Sequence, residues 1–155
     1  MLTTEIIDGF KRAGIRRTYV AGESMFLANE PSSGMYLILQ GEAKVLRRTP
    51  SGDLIEVATI LAGQTIGEIS LLLGQPHSAT VMAKTDVEAA LLTRNRLHEL
   101  RDDDPMLAMR LFEILAYTLS NHIMSMNRQM DEARRKIHDL ESRLKDQESP
   151  TFSYF

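Results

Sequence analysis

The chain of 155 residues contains no cysteine. A disulfide framework, a thiolate zinc site and a cysteine nucleophile are thereby excluded. The same absence is compatible with a cytoplasmic location, which is the expectation here. No run approaches the roughly 18 apolar residues of a membrane span. The N-terminal "MLTTEIIDGFKRAG" carries acids and no apolar stretch of signal length. Strong charge of either sign is also missing: the formal net charge is −3, so no global field draws the chain to nucleic acid or anionic lipid. The basic clusters Arg16-Arg17, Arg47-Arg48 and Arg134-Arg135-Lys136 read as solvated faces. Histidine is scarce. Of four histidines, His77 alone falls in the region that reads as β, while His98, His122 and His138 fall on predicted helices without a shared ligand spacing. No metal site is expected. No serine has the glycine elbow of a serine–histidine–acid enzyme, and Ser70 in "EISLL" reads as a cradle or core residue. The chain is therefore not expected to be an enzyme, and no catalytic residue is assigned.

What is present is the composition of an ordinary globular domain, 43% apolar and 25% charged, with room for one domain and an extension. Residues 3 to 13 predict a short amphipathic helix with Ile6, Ile7 and Phe10 on one face and Gly14 as its stop. Residues 17 to 92 predict short strands broken by glycines: "TYVA", "SMFLA", "MYLILQ", "AKVLRR", "LIEVATI", "ATVMA" and "VEAALL". "RTPSGD" is a hairpin signal. Seven or eight short strands, without strand–helix alternation, predict a barrel or jelly roll. Residues 93 to 148 predict helix, starting at a Thr93 cap and restarting at Asp104 with Pro105 in the first helical position. The expected fold is mainly β with flanking helices: a double-stranded β-helix (jelly-roll) barrel followed by a long C-terminal coiled-coil helix. The expected domains are 1–104 (the barrel with its N-terminal and hinge helices), 105–148 (a dimerisation helix) and 149–155 (a disordered tail).

The long helix has its own period. Met109, Phe112, Ala116, Leu119, Ile123, Met126, Met130, Ala133, Ile137, Leu140 and Leu144 follow one another at alternating spacings of 3 and 4. That heptad repeat predicts a left-handed supercoil with a partner. The a positions are Met109, Ala116, Ile123, Met130, Ile137 and Leu144. The d positions are Phe112, Leu119, Met126, Ala133 and Leu140. Leu111, Ile114 and Leu115 widen the apolar face over the first two heptads, so that part also packs on the barrel. Beyond Met126 only the narrow seam remains, which marks a coiled coil and not a core helix. In a parallel pair Lys136 at g faces Glu141 at e of the other chain, so a homodimer through a parallel coiled coil is expected.

The stretch "GQTIGEISLLLGQPHSATV", residues 63 to 81, joins two predicted strands. Gly67 permits close backbone approach to a ligand, and "EISLLL" is long enough for one or two helical turns. A helix start offers free N–H groups to an anion. Glu68 at that position suits sugar hydroxyls and not phosphate. An acid beside an anion site points to a nucleotide.

These residues resemble the cyclic-nucleotide-binding domain of the catabolite-activator-type regulators. The resemblance covers residues 17 to about 125 and rests on "VAGESMFLANEPSSGMYLILQGEAKVL", "LAGQTIGEISLL", "PHSATVMAKTDVEAALLTRNRLHEL" and "DPMLAMRL". Carried over residue by residue, it implies that Gly67 and the amides of Ile69 and Ser70 line the phosphate. It implies that Glu68 holds the ribose 2′-hydroxyl, that Ser78 and the Ala79 amide complete the cradle, and that His122 lies near the base. Serine at position 78 leans toward cyclic AMP over cyclic GMP. The departure is His77, where the family has an arginine; in that sense the phosphate-binding cassette is degenerate. Imidazole is charged only below about pH 6.5 unless a phosphate raises its pKa. A lost charged hydrogen bond costs roughly 1.5–3 kcal/mol, on the order of 10- to 100-fold in affinity. The resemblance thus implies a regulatory module that senses a cyclic nucleotide, with no cofactor required, and signals through its C-terminal dimerisation helix to an effector protein or fused domain. The alternative is a non-binding dimerisation or docking scaffold. Because the chain runs as coiled coil to residue 148 with no helix-turn-helix after it, direct DNA binding is not expected.

Overall fold

The computed structural model describes residues 4–147. The expected disordered tail, 149–155, lies outside them. The described residues form two compact units, divided between Ala116 and Tyr117.

The first unit begins with α1 (Thr4–Ala13), closed where the Gly14 N–H bonds the Phe10 carbonyl. Eight strands follow: β1 (Ile15–Tyr19), β2 (Ser24–Phe26), β3 (Met35–Gln40), β4 (Glu42–Arg48), β5 (Leu54–Leu61), β6 (Thr65–Ile66), β7 (Thr80–Ala83) and β8 (Val87–Leu92). Between β6 and β7 sits α2 (Glu68–Leu73), and after β8 comes α3 (Arg94–Asp103). The strands make two four-stranded antiparallel sheets, ordered β1-β8-β3-β6 and β2-β7-β4-β5. This is the expected jelly-roll pattern, with two differences in detail. The first strand starts at Ile15, two residues before the predicted β region. The two-residue β6, which pairs with Tyr36 and Leu37 of β3, is too short to show an alternation.

Side-chain alternation divides the interior. On β3, Met35 and Leu37 join one buried cluster while Tyr36 and Ile38 join the other. On β8, Ala90 and Leu92 go with the first, and Val87, Ala89 and Leu91 with the second. The second cluster fills the space between the sheets, with Phe26, Val45 and Val81 from the facing strands. The first lies under the helices and takes in Phe10, Leu71, Leu97, Leu100, Leu111 and Leu115. A central strand buried on both faces reads as a continuous apolar run, which is why "MYLILQ" does not alternate. The β4–β5 hairpin turns where predicted: Arg48 pairs with Leu54, and the Thr49 N–H bonds the Asp53 carbonyl at 2.8 Å.

Both helix starts read from the sequence carry their caps. The Thr93 hydroxyl accepts from the Arg96 N–H at 3.2 Å, and the Asp104 carboxyl accepts from the Leu107 N–H at 3.0 Å. α4 (Pro105–Gln147) supplies its first turns to the first unit, where Leu107, Ala108, Leu111, Ile114 and Leu115 are buried. The rest of α4 forms the described part of the second unit. There Ile123, Met126, Met130, Ile137, Leu140 and Leu144 of the predicted seam are each more than half exposed, Ala133 is exposed, and Leu119 is partly buried.

Candidate functional site

The cassette is built by a short excursion from the barrel. β6 ends at Ile66, and Gly67 turns the chain with φ 94° and ψ 10°. That left-handed conformation favours glycine, which carries no Cβ to clash. Sterics reinforce it, because a Cβ at Gly67 would stand 2.7 Å from the Gly34 carbonyl oxygen. The turn is therefore pressed directly on the backbone that leads into β3. α2 opens with the Leu71 N–H bonding the Gly67 carbonyl at 3.0 Å. The N–H groups of Glu68, Ile69 and Ser70 precede the first helical bond and are open to an acceptor. Gly74 ends α2, donating its N–H to the Ser70 carbonyl at 2.9 Å.

The return segment, residues 75–79, is strapped to the loop after β2. The Asn29 N–H bonds the His77 carbonyl at 2.8 Å, and the His77 N–H bonds the Glu30 carbonyl at 3.0 Å. The Ala28 N–H donates to the Thr80 hydroxyl at 3.1 Å. Asn29 makes the required bend with φ 68°, the one positive φ among the described non-glycine residues. Asparagine is well suited to that bend.

Two side chains of the cassette are buried with an unpartnered polar atom: Glu68, 2% exposed, at Oε1, and His77, 2% exposed, at Nε2. Such atoms are rare in native structures, and each calls for a partner such as an ordered water, an ion or a ligand. Ser70 is also buried, its hydroxyl 3.5 Å from the Pro76 carbonyl. Ala79 is buried, whereas Ile69 and Ser78 are exposed. The residues from Gly67 to Ala79 are thus gathered in one turn–helix–turn. His122 lies exposed on α4 in the second unit.

His77 does not stand out into solvent. Its ring stacks on Phe26, centroids 3.8 Å apart and planes 18° from parallel. Phe26 stacks in turn on Tyr36 at 5.6 Å, and Tyr36 meets Tyr19 edge-on at 6.5 Å. The Tyr36 hydroxyl pairs with the Ser33 hydroxyl at 2.9 Å. Burial pushes the His77 imidazole below its ordinary pKa, opposed by the charge of Glu30. Sequence reasoning did not find Phe26, which lies on a different strand and carries no motif of its own.

A cavity of about 220 Å³ adjoins the cassette, lined by residues that include Ser32, Ser70, Gly74, Pro76 and Arg94. Neither Glu68 nor His77 lines it. Among the described residues no group of three His, Asp or Glu side chains has the arrangement of a metal site, and no helix is long and apolar enough to cross a membrane.

Residues 16–104 match the family model described as "Cyclic nucleotide-binding domain". Among curated proteins, the chain is 28% identical over 98 residues to a CRP-like cAMP-activated global transcriptional regulator of Mycobacterium tuberculosis (strain CDC 1551 / Oshkosh). That match covers 63% of this chain and 44% of the regulator. Among solved structures, the catabolite activator protein of Thermus thermophilus matches with a TM-score of 0.67 and 27% identity, over 81% of this chain and 59% of that one. The N-terminal domain of a transcriptional regulator from Streptomyces coelicolor A3(2) matches with a TM-score of 0.66 and 26% identity, over 81% and 87% of the two chains. The chain spans less than half the length of the curated relative and under two thirds of the Thermus protein.

Proposed function

The chain belongs to the cyclic nucleotide-binding domain family, and from that premise we propose that it is a regulatory module that takes a cyclic nucleotide, cyclic AMP in preference to cyclic GMP, into the cassette between β6 and β7. The observation that carries this reading is the buried, unpartnered Oε1 of Glu68 next to a Gly67 turn held against Gly34. An acceptor of that kind calls for a hydroxyl, and the ribose 2′-hydroxyl of a cyclic nucleotide is one. Gly67 and the amides of Ile69 and Ser70 would hold the phosphate, with Ser78 and Ala79 completing the cradle. The relatives are named as regulators, which favours a regulatory role over catalysis.

Signal output would run through a homodimer. The exposed row Ile123, Met126, Met130, Ile137, Leu140 and Leu144 suits a parallel coiled coil with a second copy, passing ligand state to an effector or a fused domain. A ligand biases such a helix only by binding its two arrangements differently. The relatives are transcriptional regulators by name, so the expectation that the chain makes no direct DNA contact has no support from them.

Titration calorimetry with cyclic AMP, cyclic GMP and 2′-deoxy cyclic AMP tests the site. Glu68→Gln should weaken cyclic AMP by about 10- to 100-fold, and the wild type should lose a similar factor toward the deoxy analogue while the variant loses little. Absence of both heat and thermal shift with millimolar ligand would sink the reading. The burial of His77 against Phe26 favours the second reading, a non-binding scaffold, and that outcome would select it.

A further inference from the structure

We propose that capture of a cyclic nucleotide is coupled to uptake of about one proton by His77, so that the module binds more tightly as the pH falls through the weakly acidic range. This rests on the cyclic-nucleotide reading above and adds a regulatory input to the same site.

The geometry carries it. His77 Nε2 and Glu68 Oε1 are the two buried side-chain polar atoms without a partner among the described residues, and both belong to the turn–helix–turn of the cassette. The His77 backbone is bonded on both sides, by Asn29 and to Glu30. These two bonds fix the backbone that carries the imidazole. The ring lies flat on Phe26.

The surrounding groups set its charge. From the loop after β2, Glu30 favours the imidazolium. From β2, the face of Phe26 attracts a cation. Beyond Phe26 in the same aromatic row stand Tyr36 of β3 and Tyr19 of β1, and burial, with the hydrogen bond to Tyr36, pushes the Tyr19 phenol up so that it brings no charge near neutrality. The adjoining Pro76 and Ser78 bring no charge. Burial outweighs Glu30, so the free protein holds a neutral ring near neutral pH. An arriving phosphate adds a second anionic influence, and an opposite charge within about 4–6 Å favours the ionised form. The imidazolium can then donate from Nε2 as a charged group.

The sign follows by linkage. The free ring has the lower pKa and the bound ring the higher. Between those two values binding takes up a proton, and affinity falls up to about tenfold for each unit of rising pH. Below both values, or above both, the coupling vanishes.

Calorimetry with cyclic AMP from pH 5.5 to 8, in pairs of buffers of different ionisation enthalpy, counts the protons directly on the wild-type protein. The expected result is net uptake approaching one proton within that range. His77→Arg should bind at least tenfold tighter at pH 7.5 with the uptake abolished. His77→Gln should bind weakly at every pH, also without uptake. Wild-type binding with no uptake, or uptake that persists in His77→Gln, overturns the coupling and leaves the cyclic-nucleotide reading standing. Binding by His77→Arg but not by the wild type at any pH overturns it too. No binding by either protein overturns both.

Discussion

An imidazole removed from water loses the hydration of its charged form, and a neighbour must replace that hydration for the charge to persist. His77 has been removed from water and has Glu30 as its counterweight, with burial the larger influence. The consequence for stability has a definite sign. The folded pKa is depressed below the ordinary value of about 6.5, so the unfolded chain binds more protons in the window just below that value. Stability contributed by the neutral ring is full above it and declines as the pH falls through it. In the absence of ligand, the melting temperature of the wild type should therefore drop more between pH 7.5 and pH 5 than that of His77→Gln. Parallel curves for the two proteins would refute it. The proposed role of Glu68 toward a ribose hydroxyl rests on its place beside Gly67, and that place was legible because it follows from the motif. The stack of His77 on Phe26 was not, because the two residues are brought together by strand pairing between β2 and β7.

The elements that hold the cassette differ in how much they bury. β3 and β8 serve both clusters, whereas β5 is largely exposed at the edge of its sheet. Alternation along β3 and β8 sends successive residues into different cores, so their strand character was readable while their double burial was not. The first turns of α4 contribute Leu111, fully buried with Phe10 and Leu71. Leu111→Ala should cost about 2–5 kcal/mol in a urea titration, enough to remove a large part of the stability of a domain this size. Glu113→Ala, on an exposed turn of the same helix, should stay within about 0.5 kcal/mol. Equal costs would mean that these turns do not anchor the first unit. The caps at Thr93 and Asp104 were visible in the sequence because capping is local, requiring only a side-chain oxygen three residues before an open N–H.

At the scale of the molecule, the heptad row of the second unit remains to be covered. An isolated helix with Ile137, Leu140 and Leu144 more than half exposed gains little from burial, and helices in water owe most of their stability to packing of an apolar face. A second copy, as in the proposed homodimer, would supply that packing without any new motif. Light scattering at tens of micromolar should give the mass of a dimer, and Ile137→Lys should shift it toward the monomer. A monomeric wild type would remove the proposed output path, while leaving the barrel and its cassette as described.

The amino-acid order alone determined what depends on near neighbours: the glycine-broken strands, the β4–β5 hairpin, two helix caps, the heptad period and the Gly67–Ala79 motif. Each follows from backbone freedom, side-chain spacing or hydrogen bonds reaching a few residues. The tertiary structure decided what depends on distant segments meeting: that Gly67 rests on Gly34, that Glu68 and His77 are buried with polar atoms unpartnered, and that Phe26 lies beneath the imidazole. Burial is a property of the packed chain and not of a residue type, and the charge state of His77 is set by burial.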